Sequence, residues 1–208
     1  MSHEIARCTA QIIHKLYNHG SLDKPVLAGI RDATNFNSQR AQVIWPLMLA
    51  SLDKHWLSQD GYPTKAEIAV YAAVRFYAIH QQGNEQCVYA VRYASRQKNN
   101  DKSVLGVSLF KSLAKLHLQD DARKPLDRRV KALLGTTNIN SAINAMTYLI
   151  KILKKNDTNT KIDYAQLAED LYWYQFDYER ANRTRLQWGQ QYYQVQTNTT
   201  KLEGKNDD

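Results

Sequence analysis

Cysteine is almost missing from this chain of 208 residues, which has only Cys8 and Cys87. Two distant cysteines exclude a disulfide framework and, by themselves, a four-ligand zinc site. They favour a reducing compartment, and cytoplasm is the expected location. Glycine (8) and proline (4) are scarce, so long helices are permitted nearly everywhere. No run of alternating β-formers bounded by turn residues appears. Nothing approaches the ~20 consecutive apolar residues of a membrane-spanning helix. Met1-Ser2-His3-Glu4-Ile5 lacks the basic and apolar regions of a signal peptide, so no membrane association is expected.

Chemistry is equally sparse. The six histidines are scattered without metal-ligand spacing, and no phosphate loop or dinucleotide fingerprint is present. Gly106-Val107-Ser108-Leu109-Phe110 opens like a nucleophile elbow but lacks the second glycine and lies within a helical stripe. Ser108 is therefore expected at a helix contact. Glu169 and Asp170 point away from the Leu167/Leu171 stripe and have no evident partner. These patterns indicate no catalytic site, no metal and no cofactor.

What the chain does have is positive charge. Its formal net charge is +8, distributed as +4 over residues 1–100, +5 over 101–196 and −1 over the last twelve. A surplus spread through a folded body suits a polyanion, and phosphate backbones are the commonest one in cytoplasm.

Helical periodicity accounts for most of the sequence. Thr64-Lys65-Ala66-Glu67 reads as a capping box, opening a helix to about Gln82 that Gly83 closes. Asp163-Tyr164-Ala165-Gln166 repeats the signature. Residues 4–18, 23–33 and 39–52 look helical, with Trp45-Pro46 beginning or kinking the third. Leu105, Leu109, Ser112, Leu113 and Leu116 make one stripe. Pro125 is placed for the first position of the next helix, which buries Leu126, Val130, Leu133 and Leu134 and stops at Gly135. Another stripe runs from Ala142 to Leu153. The fold class read here is all-α: two helical bundles packed together, residues 1–97 and 98–196, without significant β-sheet. Residues 197–208 carry little that is apolar and read as a disordered tail.

The basic residues fall on the outer faces of three consecutive helices. Between Arg123 and Lys131 there are five cations (Arg123, Lys124, Arg128, Arg129, Lys131) and one acid. Arg128 and Lys131 lie opposite the apolar stripe, with Arg129 at its flank, where it could instead pair with Asp127. On the next helix Lys151 and Lys155 project away from the stripe and Lys154 sits beside it. Lys111 points outward on the helix before. Arg31, Lys98 and Lys102 are further candidates. A merely solvated face would mix Glu with Lys. The aromatic runs Tyr172-Trp173-Tyr174 and Trp188…Tyr192-Tyr193 could stack bases, though at helical spacing core packing is the commoner role.

Several segments in order carry a resemblance. They are Leu27-Ala28-Gly29-Ile30-Arg31, Trp45-Pro46-Leu47, Ala69 through Gly83, Gly106 through Leu113, Leu126-Asp127-Arg128-Arg129-Val130, Tyr164 through Leu171 and Trp188 through Tyr193. Together they resemble the CasB family, the small subunit of the type I-E CRISPR Cascade complex. Phe110 and Lys111 depart from it, standing where glycine and arginine are usual. The resemblance implies a non-enzymatic, all-helical subunit that works beside other Cascade subunits, the guide RNA and a second copy of itself. It also implies contact with target DNA, including the displaced strand, and support for the R-loop. In that setting base pairing reads sequence and the protein need supply only a sequence-blind basic track.

Two other readings remain open on the residues. Leu133-Leu134-Gly135 and the helix after it could form a helix-turn-helix of a DNA-binding regulator, within 126–153, presenting Asn144, Thr147 and Lys151. Its turn, taken as Gly135–Asn140, is longer than that motif's usual ~3–4 residues. The other is a helical enzyme with an unrecognised site.

Overall fold

The structure, a computed structural model, describes residues 3–33, 35–92, 105–118 and 120–203. The expected boundary between bundles at 97/98 lies outside the described residues, as do Lys98 and Lys102. Nine α-helices are present among the described residues: α1 (Glu4–Tyr17), α2 (Lys24–Asp32), α3 (Trp45–Leu49), α4 (Lys65–Gln81), α5 (Leu109–His117), α6 (Asp120–Gly135), α7 (Ile139–Asn156), α8 (Tyr164–Tyr174) and α9 (Tyr178–Glu203). The fold is all-α.

α4 is the axis of the molecule. Thr64 Oγ1 accepts from the Glu67 amide and Glu67 Oε2 accepts from the Thr64 amide, closing the expected capping box. Fourteen of its residues are buried, Ala69 through Val74 consecutively. A helix apolar all round must be covered all round, and α1, α2, α7 and α8 cover α4. α5 packs against α6, α7 and α9. The buried core is continuous from Ile5 to Tyr192, and α8, from the C-terminal half, lies chiefly against α1 and α4.

Where α5, α8 and α9 meet, Trp188 is fully buried between two rings. Phe110 stacks on it at 5.1 Å between centroids and Tyr174 at 5.6 Å. Each such pair adds ~0.5–1.5 kcal/mol beyond burial. The Trp188 indole N–H donates to Asp170 Oδ2 over 3.1 Å.

Several local expectations are corrected. α5 begins at Leu109, not Leu105, because Ser108 is its N-cap, accepting from the Lys111 amide. The residues before it pair instead: Ile162 bridges in parallel to both Tyr89 and Val107. Gly106 donates to the Val91 carbonyl there over 2.9 Å, so close in that an added Cβ would overlap the Ala90 carbonyl. Pro125 is not at the first position of α6 but inside it, because the helix starts five residues earlier, at Asp120. Pro125 is exposed, so the bond it cannot make falls on the solvent side. α9 runs as helix to Glu203, with no Gly or Pro interrupting residues 190–203.

Glu169 and Asp170 are not outward-facing. Glu169 is buried and accepts from Trp173 Nε1 and the Ala6 amide. Asp170 accepts from Gln166 Nε2 and Trp188 Nε1. α8 is covered on two sides, by α1 and α4 and by α9, so one apolar stripe does not describe it.

Candidate nucleic-acid interface

On α7 the positions Asn144, Tyr148, Lys151 and Lys155 recur at intervals of four, three and four, which places them on one helical face. All four are exposed, while Ala142, Met146, Leu149, Ile150 and Leu153 are buried on the other side. The last turns of α7 pass beside α2 and the end of α4. There Arg31 joins Lys151, Lys154 and Lys155 around a cleft of about 480 Å³, with Ile79, Gln82 and Asp32 completing its lining.

Lys154 donates to Gln82 Oε1 over 2.8 Å. Burial, and then the charge of Arg31, pull its pKa below the ordinary lysine value. Asp32 is the one carboxylate among the described residues at the cleft, and two arginines share it at long range. Arg31 Nε stands 3.8 Å from Oδ1 and a terminal nitrogen of Arg40 3.7 Å from Oδ2. Such partly exposed pairs contribute little, so the cleft keeps an excess of positive charge.

A second feature extends the basic surface. The Arg129 guanidinium lies over the Tyr148 ring at 5.0 Å and the Lys151 ammonium at 5.8 Å. Tyr148 is 52% exposed. The track thus runs from Arg129 on α6, across Tyr148, to Lys151 and on to Arg31. Arg129 does not turn to Asp127, whose carboxylate is held by His117 Nε2 at 2.9 Å and by the Tyr192 hydroxyl at 3.0 Å.

Of the residues named from sequence, the structure brings together Arg31, Lys151, Lys155 and Arg129. Lys111, Lys124, Arg128 and Lys131 are exposed, and none lines the cleft. Arg123 falls within α6, but its side chain is outside the described residues. Sequence reasoning did not select Lys154, Gln82 or Tyr148. The signal for Tyr148 was its spacing, three before Lys151 and seven before Lys155.

The aromatic runs mostly pack. Tyr172, Tyr174, Trp188 and Tyr192 are buried; Trp173 is half-buried, with Arg180 over its ring at 4.9 Å. The helix-turn-helix face fares similarly. Residues 136–138 make its turn, within the motif's ordinary length. Thr147, however, is buried, donating to the Ile143 carbonyl and accepting from Arg75. It cannot reach a base edge.

Other polar groups lie in the packing. His80 is buried against the Tyr164 hydroxyl at 2.9 Å, and burial lowers its pKa to about 4. Cys8 and Cys87 are free thiols whose pKa values burial raises. Among the described residues no three His, Cys, Asp or Glu side chains gather for a metal, and no helix is long and apolar enough to cross a membrane.

The sequence matches the family model for CRISPR-associated protein Cse2 (CRISPR_cse2) over residues 26–193. The chain belongs to this family. The match takes in α2 through the buried part of α9, and so every residue of the cleft. The Cse2 fold is also that of two solved structures. CasB from Thermobifida fusca superposes with a TM-score of 0.65 at 20% identity, over 91% of this chain and 98% of that one. CasB from M. ruber gives 0.62 at 16% identity, over 97% and 98%. At these identities the likeness is one of fold. No curated protein matches the chain. The Cse2 assignment agrees with the resemblance in the sequence, the CasB subunit of type I-E CRISPR Cascade.

Proposed function

We propose that this Cse2-family chain is a non-enzymatic, sequence-independent nucleic-acid-binding subunit. In an assembled surveillance complex in the cytoplasm it would hold the R-loop open, contacting the displaced strand and supporting the guide–target duplex. The observation that carries this reading is the convergence of Arg31 with Lys151, Lys154 and Lys155 on one cleft, against a single carboxylate already shared by two arginines. A phosphate backbone is the ligand such a cleft suits. In such a complex base pairing supplies sequence, and the protein need supply only charge along the backbone. Guide RNA, the other Cascade subunits and a second copy of this chain are the partners it would work beside.

Affinity for single-stranded DNA of several sequences, titrated with salt, tests the reading. Log K should fall with log salt at a slope of about −0.7 per phosphate engaged, alike for every sequence. Reversing Lys151 and Lys155 to glutamate should weaken binding and flatten the slope. Affinity that ignores salt, or that is confined to one palindromic site, would refute it.

A further inference from the structure

Arg31 and Gln82 each border two clefts. Beyond them, on the side away from α7, a second opening of about 290 Å³ lies between α2 and α4. Leu27 and Ala78, both buried, form its floor, and Leu22 and Ala28 its walls. Its rim carries Lys24, Arg31 and Gln82 and, among the described residues, no carboxylate. The remaining polar residue, Gln81, is spent inside the fold. Its Oε1 accepts from the Val88 amide, and its Nε2 donates to the carbonyls of Asn84 and Gln86. Gln82 Oε1 is occupied by Lys154, so this rim meets a ligand with N–H donors. The volume stands near the lower end of the ~300–1,000 Å³ of small-molecule sites.

We propose that this slot seats one unpaired nucleobase of a strand whose phosphates lie in the adjoining four-cation cleft. The inference rests on the nucleic-acid reading above and adds a preference for single strands to it. A phosphate track alone has no use for an apolar slot. A nucleotide has use for both, because it joins an apolar-faced ring to a phosphate through one sugar, and slot and cleft share the wall made by Arg31 and Gln82. The faces of a base match Leu27, Ala28 and Ala78, and the carbonyl and ring-nitrogen acceptors on its edge match Lys24, Arg31 and the Gln82 amide. A base in a duplex cannot enter without leaving its stack, whereas an unpaired strand gives one up at the least cost.

The test compares the full chain's affinity for a thymidine oligomer and for an abasic oligomer of equal length and charge, at one salt concentration. The thymidine strand should bind about tenfold tighter. Ala28→Met, which fills the slot from its wall, should bring the thymidine strand down to the abasic level and leave abasic binding unchanged. Arg31→Ala should weaken both. A measurement on the unaltered chain covers the case in which A28M fails to fold: 2-aminopurine, placed in turn at each position of the strand, should brighten at one or more positions as it leaves its neighbours. Equal affinity for the two strands, an equal loss of both in A28M, or 2-aminopurine emission unchanged at every position overturns the slot while leaving the phosphate track standing. If neither strand binds, the nucleic-acid reading itself falls.

Discussion

Lys154 Nζ donates to Gln82 Oε1 across 2.8 Å, tying the last turn of α7 to the residue that follows α4. The bond holds one of four cations at a fixed place beside Arg31, whose charge opposes it. Gln82 thus positions charge without carrying any.

Separating these roles gives the first prediction. Lys154→Ala removes a cation and should shallow the salt dependence of single-strand binding by about 0.7 in slope. Gln82→Ala keeps all four charges and should leave the slope unchanged, while affinity falls with the lost positioning. Salt titrations of the two variants, read side by side, check this.

Arg128 and Arg129 are neighbours with different surroundings. Arg128 is exposed; Arg129 is half-buried with its guanidinium over Tyr148. Arg128→Glu should leave thermal stability within ~0.5 kcal/mol of the parent, as surface changes usually do. Arg129→Glu should cost more, ~1 kcal/mol, because the ring contact goes as well. Denaturant unfolding measures both. Equal stability of the two variants would show that the ring contact contributes nothing.

Phe110 departs from the glycine usual in the resemblance, and here it fills the space over Trp188. Phe110→Ala should destabilise by about 3–5 kcal/mol, as for other large buried aromatics. Phe110→Leu, which keeps much of the volume, should cost distinctly less. Chemical denaturation of both variants tests the ranking.

Asp170 supplies a pH signature. Burial, opposed by the Gln166 and Trp188 hydrogen bonds, raises its carboxyl to about 6 from an ordinary 3.8. Because the folded chain then holds a proton the unfolded chain has released, this group's contribution to stability is largest below about pH 4. It is lost as pH rises to about 6, for a change of at most about 2–3 kcal/mol. Asp170→Asn, with Gln166 turned to donate and accept in the reverse sense, should remove that dependence. The difference in Tm between parent and D170N, followed from pH 4 to 8, should favour the parent increasingly toward acid and level off above about 6.

Much of the fold was legible because its signals are local. The Thr64/Glu67 capping box, the stop at Gly83 and the break at Trp45-Pro46 each depend on a few adjacent residues, and all stand where the sequence places them. The outward face of α7 was equally readable from spacing. That Arg31 lies against that face was not, since periodicity says which side of a helix turns outward but not which helix passes beside it. Glu169 and Asp170 were misplaced for a related reason: α8 packs on two sides, and its polar residues are met by indoles rather than by water. Ser108 looked like part of a stripe because a cap and the turn it caps share the same spacing.

The bridge at Ile162 bears on how the chain tolerates added length. Gly106 N–H meets the Val91 carbonyl over 2.9 Å, so two residues far apart in sequence are held side by side. Sequence inserted between those two residues would begin and end at neighbouring points. A fluorescent tag or an affinity epitope spliced there should therefore be carried without disturbing α4 or α5, whereas the same splice between α6 and α7 would force apart helices joined by three residues.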